Sequence, residues 1–424
     1  MPTPSLLIVP ARFKSGKIYS QIPTSGAGDF TVTRATSATR VNASGYIESV
    51  ASGIPRLDYL DSGGVVGCPA LLVEPSAINS CLQSENFLTT WSPNNVTVSG
   101  NVTGTTDPSG GNKADQIFET DTSGIHILAQ TMSIVSGTTY AGSVFLKKAE
   151  GSPDWMQVAY STTGLAGFAN FNLTSGTVGN VGAGCTGSIV NYGNGWYRCT
   201  LIQTANASGD SGGPVIVFTN NTNSITRYVN YTGNTATSIY AWGAQFETGS
   251  VATSYIPTTT AAVTRNADVV VVSGAVSGSI GQTEGTVYAE FQSDAVLDEV
   301  FFVSRKSGAG SNKINIIKDS SNLLKVGLVA NGTAIFTFGT SGSVTGMIKM
   351  ALGYQAGSSA LYINGDFIVS STANFTFSSA GLADVTINKS SIFSGGHILR
   401  PTMFRAIALY TTRLTNAELT SLTT

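Results

Sequence analysis

Two histidines, His126 and His397, are the only imidazoles in a chain of 424 residues. Nucleophilic catalysis needs a base beside the nucleophile. His126 lies in the strand-like run Ile125-His126-Ile127-Leu128 and His397 follows two glycines, and neither has a G-x-S-x-G elbow nearby. Gly209-Asp210-Ser211-Gly212-Gly213 places a serine among glycines but has no supporting His and Asp motifs, so it reads as a turn. Glycoside hydrolysis needs two carboxylates about 5–9.5 Å apart across a cleft. Glu290, Asp294, Asp298 and Glu299 form the one carboxylate cluster, and the break at Ser293–Ala295 makes it a solvated loop instead. No glycine-rich loop is followed by Lys and Ser/Thr, so phosphate cradling is absent. No catalytic residue is assigned and no enzyme is expected; a polysaccharide depolymerase remains the remote alternative.

Sugar binding fits the residue types better. Sugars offer hydroxyls and a C–H face, which planar aromatics and amides grip without net charge. Trp242 sits on an alternating strand and reads as core. Trp91, Trp155 and Trp196 lie beside turns and loops and are candidate platforms, with packing as the competing role. The run Thr219–Asn223 offers Asn220 and Asn221 as ligand amides or as turn formers. Asp107, Asp115, Asp121 and Asp154 could supply oxygens to a structural calcium, although no EF-hand spacing is present. No other metal or cofactor is expected. The four cysteines lack zinc-ligand spacing and are expected as free, mostly buried thiols.

The elements positioning these residues follow from composition. Charged residues are 11% of the chain, under half the roughly 25% of an average domain. Net charge is −2, which gives no electrostatic footprint for nucleic acid or an anionic membrane. At 42% hydrophobic, the chain has too much to bury for disorder. No apolar run is long enough to span a bilayer, and Met1–Pro10 does not read as a secretory signal. Short β-branched and aromatic runs recur between Gly, Asn, Ser and Asp clusters, the pattern of sandwiches and barrels. In Ile239–Glu247, Tyr240, Trp242, Ala244 and Phe246 alternate onto one face, and Ile239, Ala241, Gly243, Gln245 and Glu247 onto the other. Ala360–Ile363 and Asp366–Val369 flank Asn364-Gly365 as a type I′ hairpin. Thr415-Asn416-Ala417-Glu418 has capping-box spacing and starts a helix of about two turns. Weakly charged β surfaces must also manage their edges, and burying them against neighbouring subunits predicts a homo-oligomer.

The expected architecture is all-β: two jelly-roll sandwiches, residues 81–268 and 269–424, preceded by a small irregular β-rich segment, 1–80. Tyr255–Pro257 reads as chain leaving one unit and Val269–Val272 as the strand opening the next.

The order of motifs resembles domains of tailed-phage structural proteins. Ser84-Glu85-Asn86-Phe87, Gly137-Thr138-Thr139-Tyr140, Gly193-Asn194-Gly195-Trp196-Tyr197-Arg198-Cys199 and Tyr240-Ala241-Trp242-Gly243-Ala244-Gln245-Phe246-Glu247 resemble a carbohydrate-binding-module-like jelly roll. Phe30–Asn42, Pro55-Arg56-Leu57-Asp58-Tyr59 and Leu71-Leu72-Val73-Glu74-Pro75 resemble leaders on such proteins. Ala77-Ile78-Asn79-Ser80-Cys81 departs from the more usual Arg-Thr-Asn-Leu there. Gly285–Phe291, Leu361–Gly365 and Ala408–Leu419 resemble a concanavalin A-like, laminin-G-type sandwich, without the E-x-D-x-x-E strand of glucanases with that fold.

The resemblance implies a non-enzymatic subunit of the virion surface, a head-decoration or fibre protein assembled in the host cytoplasm. Its partners would be capsid, collar or tail proteins and a host-surface or environmental glycan. A tail-fibre adhesin is the alternative. Segment 1–80 is the expected docking element, and its deletion is expected to leave both sandwiches folded.

Overall fold

The computed structural model describes residues 1–60, 66–161, 163–272, 276, 278–292, 299–304, 312–318, 323–344, 346–378, 381–387 and 402–424; the side chains of 210–211 and 299–304 are not described. The described residues are all-β with one short helix, arranged as two jelly-roll-like sandwiches.

The first sandwich is built from two six-stranded antiparallel sheets. One runs Ser92–Asn94, Ile127–Ala129, Pro214–Phe218, Trp155–Tyr160, Phe168–Asn172, Thr177–Val181. The other runs Val96–Ser99, Asp115–Glu119, Ser238–Thr248, Thr139–Lys148, Trp196–Thr204, Cys185–Asn191. Alternating residues such as Val144, Leu146, Met156, Val158, Phe171, Leu201, Ile216 and Phe246 fill the space between them. Tyr160 reaches across it: its hydroxyl accepts from Gly142 N at 2.8 Å and donates to Leu201 O at 2.6 Å.

The long strand Ser238–Thr248 departs from simple alternation. Its register against Thr139–Lys148 shifts between Ser143 and Phe145, at the positive-φ residue Gly243 (φ 63°). The bulge inserts one residue and swaps faces beyond it. Ile239, Ala241, Ala244 and Phe246 therefore point into the core, whereas Tyr240 and Trp242 point away from it. The sequence pattern had grouped Trp242 with Ala244 and Phe246. Gly209–Gly212, expected as a turn, is a strand paired with Met132–Ile134.

The second sandwich combines an eight-stranded and a nine-stranded sheet. Residues from segment 1–80 are strands of both. Leu6–Ile8 and Val66–Val73 pair with Thr402–Tyr410, and Phe30–Thr33 pairs with Val269–Val272. Leu6, Ile8, Ile18, Phe30, Val32, Leu57, Leu71 and Val73 share one core with Val287, Phe291, Leu352 and Leu409. The opening strand Val269–Val272 and the Asn364-Gly365 hairpin, with φ of 50° and 89°, form as their sequences indicate. Helix Asn416–Thr423 has the expected capping box: Glu418 N donates to Thr415 Oγ1, and Thr415 N to Glu418 Oε2.

The ribbon Ala38–Val41/Ile47–Val50 lies over the outer face of the first sandwich. Val41 and Ile47 pack there with Phe145, Trp196, Trp242 and Tyr255. Tyr255 is 3% exposed, so the segment read as chain leaving a domain is part of a core.

Candidate functional site

The three candidate tryptophans take different places. Trp91 is 5% exposed and packs on Phe87 with ring centroids 4.8 Å apart. Trp196 is 1% exposed, and its Nε1 donates to Thr106 O at 2.8 Å. Neither ring has a face free for a sugar, because each completes an apolar cluster. Their turn-rich flanks had suggested exposure; the clusters are made by residues distant in sequence.

Trp155 is half-buried, at the start of Trp155–Tyr160. Alternation in this strand sends Met156, Val158 and Tyr160 inward. Trp155, Gln157 and Ala159 therefore face outward. Ala159 packs with Phe168, Val215 and Val217 on that outer face, with Tyr228 against them. Segment 219–230 folds over the face and is tied down by amides. Gln157 Nε2 donates to Asn170 Oδ1 at 2.9 Å across the paired strands and to Thr226 O at 3.1 Å. Asn170 Nδ2 donates to Asn223 Oδ1 at 3.0 Å and Ser224 O at 2.6 Å. Asn180 N also donates to Asn223 Oδ1, at 2.7 Å, and Asn180 Nδ2 to Asn223 O at 2.8 Å.

The fold brings Trp155 and Asn221 together. Asn221 Oδ1 accepts from Asp154 N at 2.7 Å and Trp155 N at 3.3 Å. Asn220 and Asn221 are both exposed, with φ of 50° and 56°, a conformation that asparagine tolerates. Asn221 is thus a turn former whose carbonyl fixes the approach to Trp155. The indole lies against Gly179, where an added Cβ would come within 2.5 Å of the ring and 2.2 Å of Asn223 Oδ1. Gly179 is needed for this close approach. The rim carries an ion pair: Lys148 Nζ and Thr174 Oγ1 both donate to Asp154 Oδ1 at 2.5 Å and hold that carboxyl below its usual range. Arg227 stacks on Tyr228, 4.8 Å from the ring centroid, and Nη1 donates to Tyr160 O at 3.0 Å.

The sequence reading missed Gln157, Asn170, Asn180 and Arg227. The signal for the first two was a mid-strand amide with apolar residues on both sides, in Trp155–Tyr160 and Phe168–Asn172.

The acidic candidates for calcium do not converge. Asp107 accepts from Ser109 N, Ser109 Oγ, Gly111 N and Lys113 N, closing its own loop. Asp115 accepts from Phe87 N at 2.7 Å and Asn101 N at 2.8 Å, and burial raises its pKa. Asp121 is exposed. Among the described residues no group of three His, Cys, Asp or Glu could hold a metal. Of the carboxylate cluster, Glu290 accepts from Tyr288 Oη at 3.2 Å, while Asp294 and Asp298 lie outside the described residues. The cysteines are free thiols: Cys81 and Cys199 are buried, with burial pushing each thiol up, Cys185 is half-buried, and Cys68 is exposed.

No family model and no curated protein matches this chain. Solved structures similar to part of it include the CBM40 of a Ruminococcus gnavus IT-sialidase bound to α2,3-sialyllactose, at 15% identity and TM-score 0.28, over 34% of this chain and 83% of that one. The K499G mutant of NanB sialidase from Streptococcus pneumoniae is similar at 16% identity and TM-score 0.31, over 36% and 26%. A heptameric SAP-like pentraxin from Limulus polyphemus is similar at 14% identity and TM-score 0.27, over 33% and 70%. Likenesses at this level carry no argument about what the chain binds.

Proposed function

We propose that this chain is a non-enzymatic sandwich protein that binds an uncharged glycan at the face around Trp155, carried on a virion surface as a decoration or fibre subunit. The observation that supports binding is the half-buried indole of Trp155, set among Asn180, Asn221 and Asn223 on a face whose loop is fixed by amides. An aromatic plane beside amide donors and acceptors suits a sugar's C–H face and hydroxyls. The virion setting rests on the ordered sequence motifs alone. Where the glycan belongs to a host surface, the same site would serve a tail-fibre adhesin.

The test is a panel of neutral and acidic bacterial polysaccharides titrated calorimetrically against the full chain and Trp155→Ala. Binding of a neutral glycan that falls at least tenfold in Trp155→Ala supports the reading. Binding that Trp155→Ala leaves intact, or no binding to any member, removes it.

A further inference from the structure

Strands that end a sheet expose unpaired backbone groups, and proteins blunt them with brevity, proline, charge or bulges. The strands ending the four large sheets nearly all carry such a device. Ser92–Asn94 has three residues including Pro93, Val96–Ser99 has four, and Phe13–Lys14 has two. Thr177–Val181, Leu57–Leu60, Asp366–Ser371 and Thr333–Gly339 are each interrupted by a register shift.

Cys185–Asn191 has none of these. It is seven residues long, and its register runs unbroken from Cys185↔Gln203 to Asn191↔Tyr197. It contains no proline and no charge, and none of its residues is buried. It sits within a longer uncharged stretch: from Trp155 to Tyr197 there is no Asp, Glu, Lys or Arg. Cys185 and Ile189 pack toward the core, which leaves Thr186, Ser188 and Val190 on the outer face. Thr177–Val181, the end strand of the facing sheet on the same side of the sandwich, is also uncharged.

The geometry points to Cys185–Asn191 as a self-association edge, pairing antiparallel with the same strand of a second copy about a two-fold axis. Charge selects this occupant. On a two-fold axis a residue meets its own counterpart, and to either side residue i meets j while j meets i. A charge at the centre would therefore face a like charge, and one beside it would need an opposite charge within the same strand. An edge with no ions in a stretch with no ions satisfies that condition. Full overlap of the seven residues places Ser188 opposite Ser188 of the second copy and continues the six-stranded sheet across the axis.

Sedimentation velocity of the full chain over a concentration series tests this. The unaltered chain is expected to form dimers, or even-numbered assemblies of them. Thr186→Lys/Ser188→Lys, on two exposed positions, is expected to weaken association at least tenfold with an unchanged circular dichroism spectrum. Thr97→Lys, on the short opposite edge, is expected to leave it unchanged. Ser188→Cys in a Cys68→Ser background should form a disulfide-linked dimer under mild oxidation, and this check holds even where the double lysine variant fails to fold. A monomer at every concentration, an assembly that the lysines do not weaken, or no cross-linked dimer overturns the proposal.

Discussion

Arg34 Nη1 donates to Asp268 Oδ1 at 2.8 Å, joining two buried side chains 234 positions apart in the chain. The other oxygen of Asp268 takes Arg56 Nη2 and, at 3.0 Å, Glu74 N. Arg56 Nη1 also donates to Glu74 Oε2 at 2.7 Å, Ser254 Oγ at 2.8 Å and Thr39 O at 3.0 Å. Arg265 lies 3.4 Å from the same Glu74 oxygen. Three arginines and two carboxylates thus tie the N-terminal strands to the end of the first sandwich and the start of the second. Burial works against the charge of Arg56, but Glu74 and Asp268 outweigh it and raise its pKa.

Asp268→Asn should be strongly destabilising. It removes a counter-charge from Arg34 and Arg56 and leaves buried guanidinium groups under-compensated. Breaking a buried pair from one side costs about 3–5 kcal/mol. Urea unfolding at neutral pH should show a midpoint lowered accordingly; an unchanged midpoint would mean the network contributes nothing.

Acid should act through Glu74. Burial opposes its ionisation, but Arg265, Arg56 and the hydrogen bonds from Ser254 bring its pKa down from 4.5 to about 2. A folded-state pKa below the unfolded one gives stability that is fully present above the unfolded value and lost as pH falls through the folded one. The contribution of Glu74 should therefore persist above pH 4.5 and drain away toward pH 2. Glu247 runs the other way, since burial raises its pKa and protonation favours its folded form. Glu74→Gln isolates the effect. It should be less stable than the unaltered chain at pH 7, and the gap should close as pH approaches 2. A gap constant with pH would assign the loss to packing instead.

The local devices of this fold were legible because each lies within a few consecutive residues. Asn364-Gly365 carries its own turn chemistry, and Thr415 with Glu418 its own cap. The all-β class followed from strand periodicity. Segment 1–80 misled because a strand's partner is not written in the strand: Phe30–Thr33 gives no local sign that it pairs with Val269–Val271. The flip at Gly243 was hidden because a bulge changes which side of the strand faces the core without changing the residues themselves. Of the candidate site, Trp155 and Asn221 were visible as residue types, but their contact joins the start of a strand to a turn 66 positions further along the sequence.

Gly179→Ala should report on the face around Trp155. The new methyl would overlap Asn223 Oδ1 and the indole. Asn223 also accepts from Asn170 and Asn180, so its displacement loosens the amide ties of segment 219–230. Overpacking of this kind costs about 1–3 kcal/mol. Because Trp91, Trp196 and Trp242 are buried, a red shift in tryptophan emission would come from Trp155 leaving its seat. Unchanged emission and unchanged stability would show that the contact is slack.

Removing residues 1–80 should unfold the second sandwich, against the expectation drawn from the sequence. The deletion takes away strands Leu6–Ile8, Phe30–Thr33, Leu57–Leu60 and Val66–Val73. It also strips Leu6, Ile8, Ile18, Phe30, Val32, Leu57, Leu71 and Val73 from the shared core. Burial of each such side chain is worth about 1.5–3 kcal/mol, or about 12–24 kcal/mol for the eight, which is as large as the roughly 5–15 kcal/mol by which a domain is stable. The same deletion uncovers Phe145, Trp196 and Trp242 on the first sandwich, since Val41 and Ile47 no longer cover them. Limited proteolysis of the 81–424 fragment should then cut the second sandwich rapidly. Protease resistance and a cooperative thermal transition equal to that of the full chain would show that the borrowed strands are dispensable.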